Sequence, residues 1–406
     1  MDTTKQQINF DDPNEFFDKL VQVAVFKEAS DIHILPGKEV VTVQFRLYWE
    51  LTTLYTFPIE LFQKINNAIK IRSLMDISEQ NHVQDGKIFM QVPANNIQVG
   101  VNLRVSTLPT LCWENIVIRI LLTTTKFWNI NTLGFSPAIE TQLKDAARIS
   151  EWLVLVCWGT WSGKTTTLYA MLNEYDPQKK AIFTLENPVE YTKDWYVQSQ
   201  IHIVNGDAKS HNSYTFWEGL IGILRQDPDI IMIGEMRRKE ETETCLEAAN
   251  TGHVVMGSIH ANNALWVIAR IRQFEIPSYL IASSLKYIVC QKMVRVLCPH
   301  CKIEKKVEVS ELPESYRKHI KADIIPICEA HNAGCEHCNN WYNGRTVLAE
   351  VVNIDEEMYK LILENAWEGE MKKYLIKQWW VPIYIEGLKK WIKWDVSIQD
   401  LLKLDV

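Results

Sequence analysis

The chain has 406 residues, 47% hydrophobic and 23% charged, with a formal net charge of −7. That length supplies two or three domains with ample core, and the acidic balance gives no reason to expect direct nucleic-acid binding. Apolar runs such as 153–157 and 230–233 are far too short to span a bilayer, the polar first residues are unlike a secretory leader, and nine cysteines are expected to be reduced or metal-bound in the cytoplasm.

Residues 1–12 read as a loose tail. Residues 14–29 have helical periodicity, 30–34 and 40–47 alternate like strands, and 61–75 is helical again. Strands follow at 86–92, 97–107 and 116–121. Residues 1–123 therefore read as an α+β lobe, and 124–136 as a linker. Between 137 and 296, helices alternate with apolar strands at 153–157, 181–185, 230–233 and 254–259. That pattern is an α/β core with a largely parallel sheet. A cysteine-bearing insert occupies 297–345, and 346–406 is mostly helical.

The stretch 153–172 is an apolar strand, a loop ending in Gly163-Lys164-Thr165, and a helix. This is the plan of a phosphate-binding P-loop. Backbone N–H groups from Gly159, Thr160, Ser162, Gly163 and Thr166 would cradle phosphates, Lys164 would reach the terminal ones, and the Thr165 hydroxyl would ligate Mg²⁺. The bland alternative is a strand–helix junction with an accidental Gly-Lys-Thr. Ile230–Ile233 ends in Gly234-Glu235, where a carboxylate at a strand end can orient water or help hold Mg²⁺. A second strand ends near two more acids, Glu186 and Glu190, suited to proton or metal handling or simply to a solvated loop. His253 and His260 bracket a third strand, and His260 is placed to sense a phosphate. Cys298-Pro-His-Cys301 and Cys335-Glu-His-Cys338 supply four thiolates for a closed structural Zn²⁺ site.

Tryptophan is anomalous, at 15 residues against 16 glycines. Trp158 stands where the P-loop's first glycine belongs, and Trp161 lies inside the loop. Trp49, Trp341 and Trp394 occupy turn or helix-stop positions that favour glycine. Were all replaced, glycine would rise to roughly 8%, near the ordinary share. The expectation is that many are glycines whose UGA codon has been read as tryptophan; the alternative is a drifted paralogue that has lost its nucleotide.

Together these segments resemble the hexameric ATPases of type II secretion and type IV pilus assembly, over about Ala29–Leu402. Ala29–Ile34, Gln84–Lys87 and Arg104–Thr110 resemble that family's N-terminal module. Leu133–Phe135 resembles its linker, Glu186–Tyr191 its acidic box, Leu224–Arg237 its Walker B segment and Gly252–Asn262 its histidine box. The paired Cys-x-x-Cys knuckles resemble the assembly branch. The resemblance implies a RecA-like P-loop NTPase core with an N-terminal PAS-like α+β lobe, a zinc-binding insert and a helical C-terminal region. It implies a homo-hexamer, with ATP bound between lobes and Arg104 and Arg119 reaching its terminal phosphates. It also implies a cytoplasmic motor, peripheral at the inner membrane through a platform-protein partner, that powers pilus assembly or protein secretion. Gly159 stands where the family has Pro, and Asn187 where it has Asp. The alternatives are a nucleotide-dead ring scaffold and a RecA-like DNA-translocation motor.

Overall fold

The computed structural model describes residues 12–94, 97–122, 129–159, 162–202, 213–330, 334–338, 341–393 and 395–404. Residues 1–11 of the expected tail, Thr160 and Trp161 of the phosphate loop, Trp394, Thr123, and 124–128 of the expected linker lie outside the described residues. The chain divides into two compact units, Met1–Thr125 and Lys126–Val406.

In the first unit α1 (Pro13–Phe26) begins where the Asp12 carboxylate accepts the N–H groups of Asn14 and Glu15, with Pro13 in the first turn. Next come β1 (Asp31–Pro36), β2 (Val40–Leu47), β3 (Glu50–Pro58), α2 (Phe62–Arg72), β4 (Gln84–Ala94), β5 (Ile97–Pro109) and β6 (Glu114–Leu122). The strands form one sheet in the order β3-β2-β1-β6-β5-β4, all antiparallel. Alternate residues of β2 are buried (Val41, Val43, Phe45, Leu47), as are Phe16, Phe17, Leu20 and Val21 of α1. The alternation gives the sheet one core face. Between β2 and β3 the two-residue turn Tyr48-Trp49 has φ of 48° and 71°, with Leu47 opposite Glu50. Both turn residues are left-handed, which matches the twist of the hairpin and favours Asn-Gly.

The second unit contains α3 (Pro137–Ala147), β7 (Trp152–Cys157), α4 (Lys164–Leu172), β8 (Ile182–Glu186), β9 (Tyr196–Gln200), α5 (Phe216–Ile223), β10 (Ile230–Ile233), α6 (Lys239–Asn250), β11 (Val254–Ile259), α7 (Ala264–Gln273), α8 (Ser278–Ser284) and β12 (Leu285–Leu297). After these come β13 (Ile303–Glu308), the short α9 (Glu314–Arg317), β14 (Ile324–Glu329), β15 (Tyr342–Asn353), α10 (Glu356–Leu363), α11 (Glu368–Lys377), α12 (Ile383–Ile392) and α13 (Ile398–Leu401). Seven strands make the main sheet in the order β15-β12-β7-β11-β10-β8-β9. All pairings are parallel except β12 with β15. Its central strands are apolar on both faces: Leu153 and Leu155 of β7 enter one core cluster, Val154 and Val156 the other. Helices cover both faces, as a parallel sheet requires. This is the expected α/β core, with its C-terminal helices and a two-stranded β13-β14 insert. Among the described residues no helix is long and apolar enough to cross a membrane.

Candidate functional site

Because β7, β8, β10 and β11 run parallel, their C-terminal ends meet at one edge of the sheet, where open α/β sheets bind ligands. Cys157 ends β7 and leads into the phosphate loop. Glu186 ends β8, Gly234-Glu235 follow β10, and His260 follows β11. Gly163, at φ 82°, is the N-cap of α4, and Lys164 is its first residue. The Lys164 ammonium folds back on the loop and donates to the carbonyls of Trp158 (2.8 Å) and Gly159 (3.0 Å). Burial pushes its pKa down, opposed first by the Glu235 carboxylate and more weakly by Glu190. Thr165 and Thr166 follow in the first turn of α4, and the Thr166 hydroxyl lies 3.4 Å from that of Tyr191.

Glu235 is held on both carboxylate oxygens. His260 Nε2 lies 2.8 Å from Oε1 and the Arg237 guanidinium 2.6 Å from Oε2. Burial pushes the carboxyl up, but Arg237, His260 and Lys164 outweigh burial and hold it below the usual carboxylate range. An ionised carboxylate beside the phosphate loop can orient water or support a cation. Glu186 is different. It is 2% exposed, and its Oε1 accepts from Tyr169 (2.6 Å) and Thr184 (2.7 Å). Burial pushes its pKa up against those hydrogen bonds. Glu186 therefore braces α4 against β8 through Tyr169, whose ring packs edge-on against Tyr191 at 5.3 Å.

His253 lies at the other end of β11, about 20 Å along the strand from His260. Its Nδ1 is 3.0 Å from the Ala248 carbonyl, and its own carbonyl accepts from the Trp152 N–H. In the first unit, Arg104 and Arg119 are direct cross-strand partners on β5 and β6. They sit in one row across the sheet, from Lys87 through both arginines and Asp31 to Arg46. Asp31, almost wholly buried, binds Arg119 at 3.2 Å and Arg46 at 3.6 Å.

In the insert the Sγ atoms of Cys298, Cys301, Cys335 and Cys338 all lie within 4.8 Å of one another. Three of the separations, 298–335, 301–338 and 335–338, are 3.7, 3.8 and 3.7 Å. Four sulfurs around a tetrahedral Zn²⁺ would stand about 3.8 Å apart, so the donor set fits that ion. Cys328 lies on β14 opposite Glu304, and the His300 and His337 rings lie 4.5 Å apart, tilted by 42°.

A family model described as type II/IV secretion system protein matches residues 10–403. The chain belongs to this family. It is 33% identical over 387 residues to type II secretion system protein E of Aeromonas hydrophila, covering 95% of this chain and 74% of that protein. To type IV pilus assembly ATPase PilB of Pseudomonas aeruginosa it is 32% identical over 389 residues, covering 95% and 66%. The fold resembles that of the pilus retraction motor PilT with bound ADP (TM-score 0.61, 20% identity, 96% of each chain). It also resembles the ATPase DotB of Legionella pneumophila (TM-score 0.66, 19% identity, 96% and 95%).

Three residues of this secretion-family chain emerge only from the structure. Arg237 clamps Glu235. Tyr169 carries the Glu186 bond. Gln291, 1% exposed on β12, donates to the Ser162 carbonyl inside the phosphate loop. Arg237 lies two residues past Glu235 and was within reach of sequence reasoning, whereas Gln291 is remote in sequence and carried no signal.

Proposed function

We propose that this chain is the ATP-hydrolysing motor of a type IV pilus assembly or type II secretion machine. One observation carries the reading: Lys164 at the N-terminus of α4 and the Glu235–His260 pair after β10 and β11 converge on one sheet edge. In that arrangement the loop backbone and Lys164 bind the phosphates, and Thr165 is the hydroxyl for Mg²⁺, which would neutralise phosphate charge. Glu235, ionised and clamped, orients the attacking water. His260 reports the phosphate state to β11, and Glu190 adds negative charge near Lys164. Arg104 and Arg119 are the guanidinium groups assigned to charge on the terminal phosphates. His253, at the far end of β11, is assigned to transmission rather than to chemistry.

The four cysteines hold a structural Zn²⁺, since four thiolates leave no open position for catalysis. The working form is a homo-hexamer in the cytoplasm, held at the inner membrane by a platform protein. Family membership supports these assignments. Steady-state ATP hydrolysis by the protein purified from its own cells tests the reading. Turnover that disappears with Lys164→Ala is expected. Turnover that survives that substitution would rule out this site.

A further inference from the structure

Among the described residues, twelve that are not glycine have positive φ, and six of the twelve are tryptophan. Five of the six tryptophans stand apart from the other residues by angle. Glu28, Tyr48, Leu74, Asp227, Glu275 and Asn365 lie between 48° and 59°, inside the left-handed well that L-residues tolerate. Trp379, at 61°, shares that well, whereas Trp195, Trp49, Trp341, Trp152 and Trp158 lie at or beyond its edge, at 70°, 71°, 74°, 93° and 139°. The positive-φ glycines span 64° to 100°. Beyond the well a β-carbon collides with the neighbouring backbone, which is why such angles belong to glycine.

The local settings agree. Trp49 is the second residue of a tight hairpin turn, where glycine is the usual occupant. Trp379 follows the C-cap of α11; its N–H bonds to the Ile376 carbonyl, and that of Trp380 bonds to Leu375. That pair of bonds is the Schellman stop, which places glycine at position 379. Trp158 opens the phosphate loop, where a flexible, side-chain-free backbone must approach the ligand. A chain that had drifted would fill lost glycine positions with a mixture of small and polar residues. Here all five non-glycine angles of 70° or more, among the described residues, belong to tryptophan, and Trp379 is the sixth through its helix-stop position, which points to a single codon. Trp266 and Trp391 lie inside α7 and α12, and the conformational argument does not extend to them.

We infer that positions 49, 152, 158, 195, 341 and 379 are glycine in the protein as its cell makes it, encoded by UGA codons decoded there as glycine. The loop before Lys164 then opens on the residue a phosphate cradle needs. Peptide mass spectrometry of the protein from its own cells tests this without reference to ATP. Each of the six positions is expected to be lighter by the indole side chain, with glycine's residue mass. Tryptophan masses there would overturn the inference. A second measurement compares the chain as written with one carrying Trp49→Gly, Trp152→Gly, Trp158→Gly, Trp195→Gly, Trp341→Gly and Trp379→Gly. The substituted chain is expected to melt about 10 °C or more higher; an equal or lower midpoint would overturn it as well.

Discussion

Gln291 Nε2 donates to the Ser162 carbonyl at 2.7 Å, joining β12 to the phosphate loop across 129 residues of chain. A β-carbon on the neighbouring Gly163 would stand 3.4 Å from the same nitrogen, so the carboxamide sits directly beneath the turn into α4. Its loss leaves a buried carbonyl unpaired, a cost of about 1–3 kcal/mol. In a chain carrying Trp158→Gly, Gln291→Leu is expected to weaken ATP binding roughly tenfold, with thiolate metal content unchanged. Nucleotide titration by calorimetry checks this, and unaltered affinity would show that the loop holds its shape unaided.

A substitution at Glu235 is expected to separate binding from hydrolysis. Arg237 and His260 hold its carboxylate in place, and the ionised form is favoured there. Glu235→Gln keeps the shape and removes the charge. ATP hydrolysis is expected to fall by about 100-fold or more while ATP affinity stays within a few-fold. Single-turnover hydrolysis beside equilibrium binding distinguishes the two effects. Parallel losses of both would place Glu235 in binding instead.

Much of the core was legible in the sequence, because its signals are local. The strand at 230–233 is an unbroken apolar run, and the Cys-x-x-Cys pairs carry their ligand spacing within four residues. Long-range placement was not legible. Nothing near Gln291 marks it as a prop for Ser162, since only the β12–β7 pairing brings the two together. Glu186 and Glu190 read alike as acids after one strand, but Glu186 faces Tyr169 and Thr184 in a buried pocket. His253 and His260 read as a pair. The six residues of β11 set them at opposite ends. Trp379 was missed because the helical period of α11 does not announce its stop; the left-handed residue after Gln378 does.

The thiolate cluster predicts one zinc per chain. The insert between β12 and β15 has a two-stranded sheet and packs Tyr316 and Ile327 into an apolar cluster shared with α12 and α13, while the four cysteines tie its two ends together. Cys335→Ser with Cys338→Ser is expected to abolish bound zinc and to open the insert to proteolysis between 298 and 341, while the main sheet stays folded. Atomic absorption and limited proteolysis measure both. Full zinc content in the double variant would mean that other residues hold the metal.

Lys390 gives a pH signature. Its ammonium, on α12, donates to the Gly134 carbonyl (2.7 Å), the Thr346 hydroxyl (2.5 Å) and the Val347 carbonyl (2.9 Å). It thereby ties α12 and β15 to the segment before α3. Burial pushes its pKa down to about 8, against the opposing pull of Asp395 and Glu386. The folded value is below the unfolded one, so between pH 8 and about 10.4 the unfolded chain carries the extra proton. Stability contributed by this group therefore rises with pH across that window, by an amount on the order of 1–3 kcal/mol. Lys390→Met removes the titration. The difference in unfolding free energy between the parent chain and the variant should shift in the parent's favour from pH 7.5 to pH 10, as read by denaturant unfolding at each pH. A difference that stays flat would mean that Lys390 keeps its proton throughout and that its three acceptors fully replace water.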